Sequence, residues 1–357
     1  MKIALLNFPL DNNYGGNLQR FALMKVLHNL GHHPTHLYTS LHWNYPSVIE
    51  QIRRFIKAIL HLQSPFIINP EKIAALDYEK QLETILPFYH KYIVHTPIIK
   101  SPQELHQYKD FDIFLVGSDQ VWRKSMSWQY PFSSMFFDWI KDPTKKKIAY
   151  GISFGTDYHE IPAQETANLR KLYNSFDAVS VREKKALDIL QELQWTIPHA
   201  REVLDPTLLL EKEDYLKVIQ DAQTTKPKGN LFCYILDSNV EKESIIKKIA
   251  EDKKLKPFYS CIGNKQNESI EQWLRNFSES DYIITDSYHG CIFSIIFNKP
   301  FKLLTNKRRG SSRFNSLFQL TGADEEKQFF PWEQIKTRIQ TLRLQSISFL
   351  EEALSGR

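Results

Sequence analysis

The sequence predicts an α/β protein built from two parallel sheets, each flanked by helices. Short apolar segments of strand length alternate along the chain with helical patterns, which is the arrangement that βαβ units produce. A chain of 357 residues, 42% of them hydrophobic, is long enough to bury two cores. The predicted strands cover residues 2–8, 35–39, 111–116, 147–152, 177–181, 230–236, 257–260, 281–285 and 301–304.

The polar segment 221–229 divides these strands into two groups. It ends in TTKPKG and has no apolar periodicity, which is typical of a linker. We therefore expect one α/β domain over residues 1–220 and a second over 229–330. The helical segment 331–357 is expected to pack back across the boundary.

The charge balance favours a small acidic ligand over nucleic acid. The formal net charge is +5, but no dense Lys/Arg block marks a nucleic-acid tract. The three cysteines lack metal-ligand spacing and indicate reduced thiols in a cytoplasmic protein. The first apolar run is too short for a signal peptide, and no run reaches the roughly 18 residues of a membrane span.

One segment leaves contact with a membrane open. Residues 47–61 carry apolar side chains on one face of a helical pattern, with Arg53, Arg54 and Lys57 opposite. Such a helix either lies on an anionic membrane or docks on its own domain. We favour docking, because basic amphipathic helices are common in globular proteins. Peripheral contact at the inner face of the membrane is the alternative.

A polar stretch, DSYHG at residues 286–290, interrupts an apolar region near the end of the chain. It stands between the predicted strand 281–285 and a predicted helix that begins near Cys291, so it occupies a βα turn. Ligands bind at such turns, where helix N-termini offer unpaired N–H groups to an anion. The residues predicted to line this site are Ser287, Tyr288, His289 and Gly290.

Four other predicted strands end in polar turns. Asp119 either caps the next helix or presents a carboxylate to a sugar hydroxyl, and Trp122 fits a core position or a sugar-stacking platform. Arg182 either pairs with a nearby acid or points at a carboxylate or phosphate in the cleft. These turns contain Asn13, Tyr14 and Asn17 after the first strand, Ser118, Asp119 and Trp122 after the third, Ser153 after the fourth and Arg182 after the fifth.

No metal or cofactor is predicted. The histidines between residues 28 and 36 straddle a helix end at Gly31 and lack the glutamate of HExxH. The first turn does not contain GxGxxG, so a nicotinamide cofactor is unsupported. Cys291 lies two residues from His289, a spacing that separates side chains on a helix and disfavours a Cys/His nucleophile pair.

Six motifs resemble, in their order along the chain, those of the polysaccharide pyruvyl transferase family. VGSDQVW and TDSYHG form the most specific pair, and together the motifs span most of the chain. The motifs are NYG at 13–15, VGSDQVW at 116–122, SFG at 153–155, SVRE at 180–183, LDPT at 204–207 and TDSYHG at 285–290.

The resemblance implies a GT-B-like pair of Rossmann-type domains with the active site in the inter-domain cleft. It also implies transfer of pyruvate from phosphoenolpyruvate to two hydroxyls of one sugar, giving a cyclic ketal and phosphate in surface or capsular polysaccharide biosynthesis. The acceptor is then a sugar or a lipid-linked oligosaccharide. The first domain holds the acceptor side, and the second holds the donor phosphate.

This chemistry suggests a role for each candidate residue. We expect His289 to protonate the methylene carbon of the donor and Asp119 to act as base or hydroxyl positioner. Arg182 is the predicted donor cation and a catalytic residue, with Arg313 as a second donor-binding cation. The predicted acceptor contacts are Asn13, Tyr14, Asn17, Ser118, Trp122 and Ser153.

Two other functions remain open at this point. A GT-B glycosyltransferase shares the fold and a phosphate site, but it needs a nucleotide-sugar donor and a pocket for the base. A non-catalytic sugar-binding protein would bind sugar without releasing phosphate.

Overall fold

The computed structural model describes residues 1–39, 53, 70–127, 130–262, 265–266, 268–304, 312–324, 326 and 328–355. The predicted amphipathic helix over 47–61 lies outside the described residues apart from Arg53, so it stays a prediction. Among the helices in the described ranges, none combines the length and apolar character that crossing a bilayer requires.

The first sheet contains six parallel strands in the order β2-β1-β3-β4-β5-β6. The strand order reverses between β1 and β3, and in open α/β sheets ligands bind at the carboxyl ends of the strands at such a switch point. The strands are β1 (Lys2–Leu6), β2 (His33–His36), β3 (Ile113–Val116), β4 (Lys146–Ile152), β5 (Ala178–Val181) and β6 (Arg201–Glu202).

The second sheet has four parallel strands in the order β12-β11-β7-β8, with its own switch point between β7 and β11. A short antiparallel ribbon, β9 with β10, stands apart from it. These strands are β7 (Leu231–Tyr234), β8 (Pro257–Tyr259), β9 (Cys261–Ile262), β10 (Lys265–Gln266), β11 (Tyr282–Thr285) and β12 (Phe301–Leu303).

Helices connect the strands, and polar side chains cap the helix starts that matter for function. Asn13 Oδ1 accepts a hydrogen bond from Gly16 N at 3.2 Å, and Ser287 Oγ accepts one from Gly290 N at 3.4 Å. The helices are α1 (Tyr14–Asn29), α2 (Pro70–Leu82), α3 (Leu86–Tyr92), α4 (Ala163–Tyr173), α5 (Lys184–Glu192), α6 (Lys212–Gln220), α7 (Val240–Lys253), α8 (Ile270–Glu279), α9 (Tyr288–Ile296), α10 (Ser312–Thr321) and α11 (Trp332–Ser355).

Each predicted strand overlaps an observed one, which confirms an α/β fold with two parallel sheets. Strand β6 and the β9–β10 ribbon were not predicted. Their strands have two residues each, which is too short to show a periodic pattern.

The apolar core is continuous between the two sheets. One cluster of buried residues includes Ile3 in β1, Phe232 in β7 and Leu350 in α11. Within it, the Tyr14 ring lies 5.3 Å from the ring of Trp273, measured between centroids. Burial of this apolar and aromatic surface holds the two sheets against each other.

The segments outside the two sheets are tied down by hydrogen bonds. Thr225, in the predicted linker, donates its N–H to Gln272 Oε1 at 2.8 Å, which attaches that segment to α8. In α11, Ser346 Oγ accepts from Leu204 N at 3.0 Å, so the last helix packs beside the end of the first sheet. The domain limits at residues 220 and 229 stay predictions.

Candidate active site

Turns at the carboxyl ends of both sheets meet at the N-termini of α1 and α9. The ring of His289, at the start of α9, lies against the backbone of Gly15 at the start of α1, so close that a Cβ at Gly15 would stand 2.7 Å from Cε1. Arg182, which follows β5, has its Cζ 5.1 Å from the centroid of the Tyr288 ring. We call this meeting point the junction, and it is the candidate active site.

A buried arginine pairs with three carboxylates at the junction. Arg182 Nη1 lies 3.1 Å from Asp205 Oδ2, and Nη2 lies 3.1 Å from Asp119 Oδ1. Its Nε is 3.6 Å from Glu183 Oε2. Burial alone would lower the pKa of the guanidinium, but the three carboxylates outweigh burial and raise it. Arg182 is therefore a permanent cation among buried acids.

Capture of the donor by Arg182 stays a prediction. Its side chain has no exposed surface, and the carboxylates of Asp205 and Asp119 already contact Nη1 and Nη2. Its Nε makes no hydrogen bond within the described residues. Arg182 is a positioning residue that holds these two acids in place.

Asp205 accepts the largest number of hydrogen bonds in the cluster. Its Oδ2 accepts from Gln19 Nε2 at 2.6 Å and from Arg182, while Oδ1 accepts from the N–H and the hydroxyl of Thr207 at 3.0 and 2.7 Å. Burial alone would raise the pKa of Asp205, but interactions with His289, Arg182 and Thr207 hold it well below its usual range. Asp205 is therefore ionised.

Glu183 is the second fully enclosed acid. Its Oε1 accepts from Ser153 Oγ at 2.7 Å, and Ser153 Oγ in turn accepts from Gly155 N at 2.9 Å. Burial raises the pKa of Glu183, and the Arg182 charge opposes that rise. Because Ser153 is buried and its hydroxyl is engaged, its assignment as an acceptor contact is corrected: it holds Glu183.

Asp119 is the acid of this cluster that reaches the surface. Its side chain is 17% exposed, compared with 0% for Asp205. Its backbone φ of 82° lies in the left-handed region, which is uncommon for a residue other than glycine. Such backbone conformations concentrate at functional sites. The predicted role of Asp119 beside the acceptor stays a prediction.

His289 presents a buried nitrogen to the junction. Its side chain is 10% exposed, and Nε2 lies 3.7 Å from Asp205 Oδ2. Within the described residues, Nε2 makes no hydrogen bond. Few buried polar atoms in proteins lack a hydrogen-bond partner, and a nitrogen in this state is available to a ligand.

Tyr288 links the arginine cluster to Arg313. The Cζ atoms of Arg182 and Arg313 lie 5.1 and 5.5 Å from the centroid of its ring, within the range of cation–π attraction. Burial raises the pKa of the Tyr288 hydroxyl, which stays neutral. Arg313 is mostly buried at the start of α10, and burial lowers its pKa, with the Arg182 charge adding to that effect.

Ser287 and Gly290 shape the start of α9. Ser287 caps the helix, and Gly290 allows close packing on β11, because a Cβ there would stand 2.8 Å from Thr285 Cβ. Structural demands therefore account for a serine and a glycine at these positions. Contacts of Ser287, Tyr288, Gly290 and Arg313 with a donor stay predictions.

The residues predicted from the first turn separate into two groups. Asn13 is exposed and caps α1. Tyr14 is buried and donates its hydroxyl to Glu268 O at 2.7 Å. Asn17 is also buried, and its Oδ1 accepts from Arg20 Nη1 at 2.6 Å. The assignment of Tyr14 and Asn17 as acceptor contacts is corrected, because their polar groups bind the protein itself.

Trp122 is a core residue, which corrects its assignment as a sugar-stacking platform. It has no exposed surface. Its ring stacks on Phe136 with centroids 4.8 Å apart and an interplanar angle of 6°. Its Nε1 donates to Met135 O at 3.3 Å. A sugar cannot reach this ring while the core is intact.

Five buried polar atoms around the arginine cluster make no hydrogen bond within the described part of the chain. Native structures leave few such atoms unpaired, so this concentration fits a site that receives a polar ligand or ordered water. The atoms are Gln19 Oε1, Ser118 Oγ, Arg182 Nε, Glu183 Oε2 and His289 Nε2. The contact predicted between Ser118 and an acceptor stays a prediction.

Sequence reasoning gave no role to three members of this site, Gln19, Glu183 and Asp205. Glu183 and Asp205 stand in the motifs SVRE and LDPT, and Gln19 lies in the helix that follows the first turn. Each of them is an acid or an amide close to a polar turn, which is the pattern that could have identified them. The sequence does not show that Gln19 and Asp205 form a pair, since they are 186 residues apart in the chain.

Asp11 is a further acid near Asp119 that sequence reasoning did not identify. Burial raises the pKa of Asp11 from 3.8 to about 6, and the charge of Asp119 adds to that effect. The N–H of Asn13, which donates to Asp11 Oδ1 at 3.1 Å, and the charge of Arg20 oppose it. Asp11 therefore titrates close to neutral pH.

Comparison with known proteins gives a family and a fold. A family model described as polysaccharide pyruvyl transferase matches residues 13–308. No curated protein matches the sequence. A UDP-GlcNAc 2-epimerase from Neisseria meningitidis bound to UDP-GlcNAc is similar in structure, with 12% identity, a TM-score of 0.51 and coverage of 100% of both chains.

Two further solved structures share this architecture. The S. aureus MnaA–UDP structure has 12% identity and a TM-score of 0.50, covering 99% of this chain and 96% of that one. Anabaena HepE in complex with UDP and glucose has 9% identity and a TM-score of 0.50, covering 100% of both chains. At such low identity the likeness concerns the fold alone, and it confirms the GT-B-like prediction.

The arginine cluster gives a prediction about stability. Arg182→Ala removes the cation and leaves buried carboxylates uncompensated, so we expect a loss of about 3–5 kcal/mol in the free energy of unfolding. Denaturant unfolding near neutral pH measures it. Arg182→Lys keeps the charge, so it should lose less of the free energy of unfolding than Arg182→Ala. It should still lose some, because an ammonium group cannot contact Asp119 and Asp205 at once as the guanidinium does. Wild-type stability of Arg182→Ala would contradict this account.

The raised pKa of Asp11 gives a pH dependence with a defined sign. The folded state binds this proton more tightly than the unfolded chain, so stability from the protonated carboxyl is lost as pH rises from about 4 through about 6. Asp11→Asn cannot ionise and keeps an acceptor for Asn13 N. The melting temperature of Asp11→Asn minus that of the wild type should be higher at about pH 7.5 than at about pH 4.5.

The control for charge loss is Asp157→Asn, which changes an exposed aspartate. Thermal unfolding of both variants and the wild type at the two pH values gives the comparison. If Asp157→Asn changes the melting temperature between the two pH values in the same way as Asp11→Asn, the pH dependence does not come from the raised pKa of Asp11.

Proposed function

Because the chain belongs to the polysaccharide pyruvyl transferase family, we propose that it transfers pyruvate from phosphoenolpyruvate to two hydroxyls of one sugar residue. The product is a cyclic pyruvate ketal of a surface or capsular polysaccharide unit, and phosphate is released. The observation that carries the proposal is the environment of His289: a buried Nε2 at a helix N-terminus, 3.7 Å from the ionised carboxylate of Asp205.

The donor chemistry requires a proton on carbon before a sugar can attack. In the proposed reaction, the methylene carbon of phosphoenolpyruvate takes a proton, and the adjacent carbon becomes an oxocarbenium-like centre. A sugar hydroxyl attacks that centre and loses its proton to a base. The carbon–oxygen bond to phosphate then breaks, and the second hydroxyl closes the ketal and loses its proton.

His289 is the proposed acid in the first step. Its Nε2 lies 3.7 Å from Asp205 Oδ2, and that atom makes no hydrogen bond within the described residues. Asp205 is ionised and fixed by Arg182 and Thr207, and a carboxylate beside an imidazole orients the ring and stabilises its cation.

The donor's negative charge is proposed to lie at the start of α9. A phosphate monoester carries roughly −1.5 to −2 charge at neutral pH, which suits a helix N-terminus and an arginine. Ser287 caps α9 and Tyr288 begins it, and the Cζ of Arg313 lies 5.5 Å from the centroid of the Tyr288 ring. Arg182 and Arg313, which both lie close to the Tyr288 ring, are the proposed donor cations.

Asp119 is the proposed base or hydroxyl positioner on the acceptor side. It is the exposed acid of the arginine cluster, and Arg182 fixes its Oδ1 at 3.1 Å. A carboxylate held in this way keeps its second oxygen available to a hydroxyl. The exposed side chain of Asn13, at the start of α1, is the proposed neighbouring acceptor contact.

The proposed setting is the cytoplasm, with a sugar or a lipid-linked oligosaccharide as acceptor. Cys233 is a buried free thiol, which is compatible with a reducing compartment. Contact of residues 47–61 with the inner face of the membrane stays the alternative to docking of that segment on its own domain. Independence from metals is checked by assaying phosphate release in excess EDTA, where we expect full activity.

The choice of donor separates this proposal from a nucleotide-sugar glycosyltransferase. A ligand that binds only the folded state raises the melting temperature. We expect phosphoenolpyruvate to do so in a concentration-dependent way, and UDP and UDP-sugars to leave the melting temperature unchanged. The reverse result would favour the glycosyltransferase.

Substitution of His289 tests the acid directly. His289→Gln keeps hydrogen-bonding capacity but cannot deliver a proton at neutral pH, so kcat for phosphate release should fall on the order of 10² to 10⁴. His199→Gln changes an exposed histidine and should retain activity. Circular dichroism establishes that both variants fold. A folded His289→Gln enzyme with wild-type phosphate release would remove His289 from the mechanism.

A further inference from the structure

The imidazole of His289 occupies space that a side chain at position 15 would need. A Cβ built on Gly15 would stand 2.7 Å from Cε1 of His289 and closer still to Nδ1 and Cγ. Real Cβ atoms do not approach other atoms this closely, so any residue but glycine at this position would displace the ring or the helix. From this contact we infer that Gly15 is a positioning residue that sets the place of His289.

The backbone at Gly15 does not itself require glycine. Gly15 lies within the first turn of α1, and it is not among the glycines with positive φ. Alanine forms helices better than glycine, so the local conformation would favour alanine at this position. The contact with His289 is the feature that opposes it.

Gly16 provides an internal comparison. It also lies in the first turn of α1, without positive φ. A Cβ there would meet its nearest neighbours at 3.6 Å from Asn13 and 3.7 Å from Asp119, which is ordinary van der Waals contact. The two adjacent glycines therefore differ in what an added Cβ would meet: the imidazole of His289 at Gly15, and only ordinary contacts at Gly16.

The ring of His289 has little freedom to move away. Cγ is among the atoms that the added Cβ would strike, so rotation of the ring about its own bond cannot relieve the clash. Tyr288 packs near it, with centroids 5.5 Å apart, and the side chain is 10% exposed. A displaced ring would change the 3.7 Å separation between Nε2 and Asp205.

The contact also joins the two sheets. Gly15 follows β1, and His289 follows β11. The preceding residue, Tyr14, is anchored on the second sheet's side through its hydrogen bond to Glu268 O at 2.7 Å and its packing on Trp273. Tyr14 therefore fixes the start of α1 against the second sheet, and Gly15 leaves room there for the imidazole.

Thermal unfolding of four variants tests the contact without any reference to catalysis. Gly15→Ala should lower the melting temperature by several degrees, while Gly16→Ala should leave it unchanged or raise it. In a His289→Ala background the imidazole is absent, so Gly15→Ala should no longer lower the melting temperature. An equal loss in both backgrounds would overturn the inference, whatever reaction the protein performs.

Kinetics tests the positioning role and rests on the proposed function. Gly15→Ala should lower kcat for phosphate release on the order of 10²-fold, with the donor KM changed by less than about threefold. In a His289→Gln background, Gly15→Ala should cause no further loss. If Gly15→Ala lowers kcat by the same factor in the wild type and in His289→Gln, Gly15 acts independently of His289, and the positioning role is overturned.

The two tests fail separately. If the proposed reaction is wrong, no variant releases phosphate from phosphoenolpyruvate, but the melting temperatures still report on the contact between positions 15 and 289. If Gly15→Ala does not fold, Gly15→Ala combined with His289→Ala should recover folding, because the methyl group then enters the space left by the imidazole. Failure to recover folding in the double variant would overturn the inference.

Discussion

The site depends on one buried interaction, the pairing of Arg182 with the carboxylates of Asp119, Asp205 and Glu183. Buried acids repel one another and lose the solvation of water, so they cannot share this space without a cation at their centre. The arginine follows β5, whereas Asp119 follows β3. The pairing therefore fixes turns of the first sheet relative to one another before any ligand arrives.

The same cluster also contacts residues that follow the second sheet. Asp205 lies beside His289 at the start of α9, and the Arg182 guanidinium lies over the Tyr288 ring. The aromatic packing of Tyr14 on Trp273 holds the two sheets together next to this point. The imidazole that follows a strand of the second sheet thus lies beside charges held by the first, and this arrangement depends on the apolar interface that both sheets share.

Polar residues that follow strands proved to be of two kinds. Asp119 and Asn13 reach solvent, as a residue that meets a ligand should. Ser153, Asn17 and Trp122 stand in similar sequence positions, yet they are buried and bind the protein itself. The sequence pattern is the same for both kinds, because the turn after a strand needs hydrogen bonds for its own backbone as well as groups for a ligand.

The two parallel sheets and the polar turns after their strands could be predicted from the sequence, because strand periodicity and polar interruptions are local properties. The role of His289 stays a prediction. The enclosure of Arg182, the place of Asp205 beside it and the contact of Gly15 with His289 could be seen only in the folded chain. Each of these depends on contacts between residues far apart in the chain, such as Gln19 with Asp205 at a separation of 186. No local pattern encodes such contacts, since they arise when the two sheets pack.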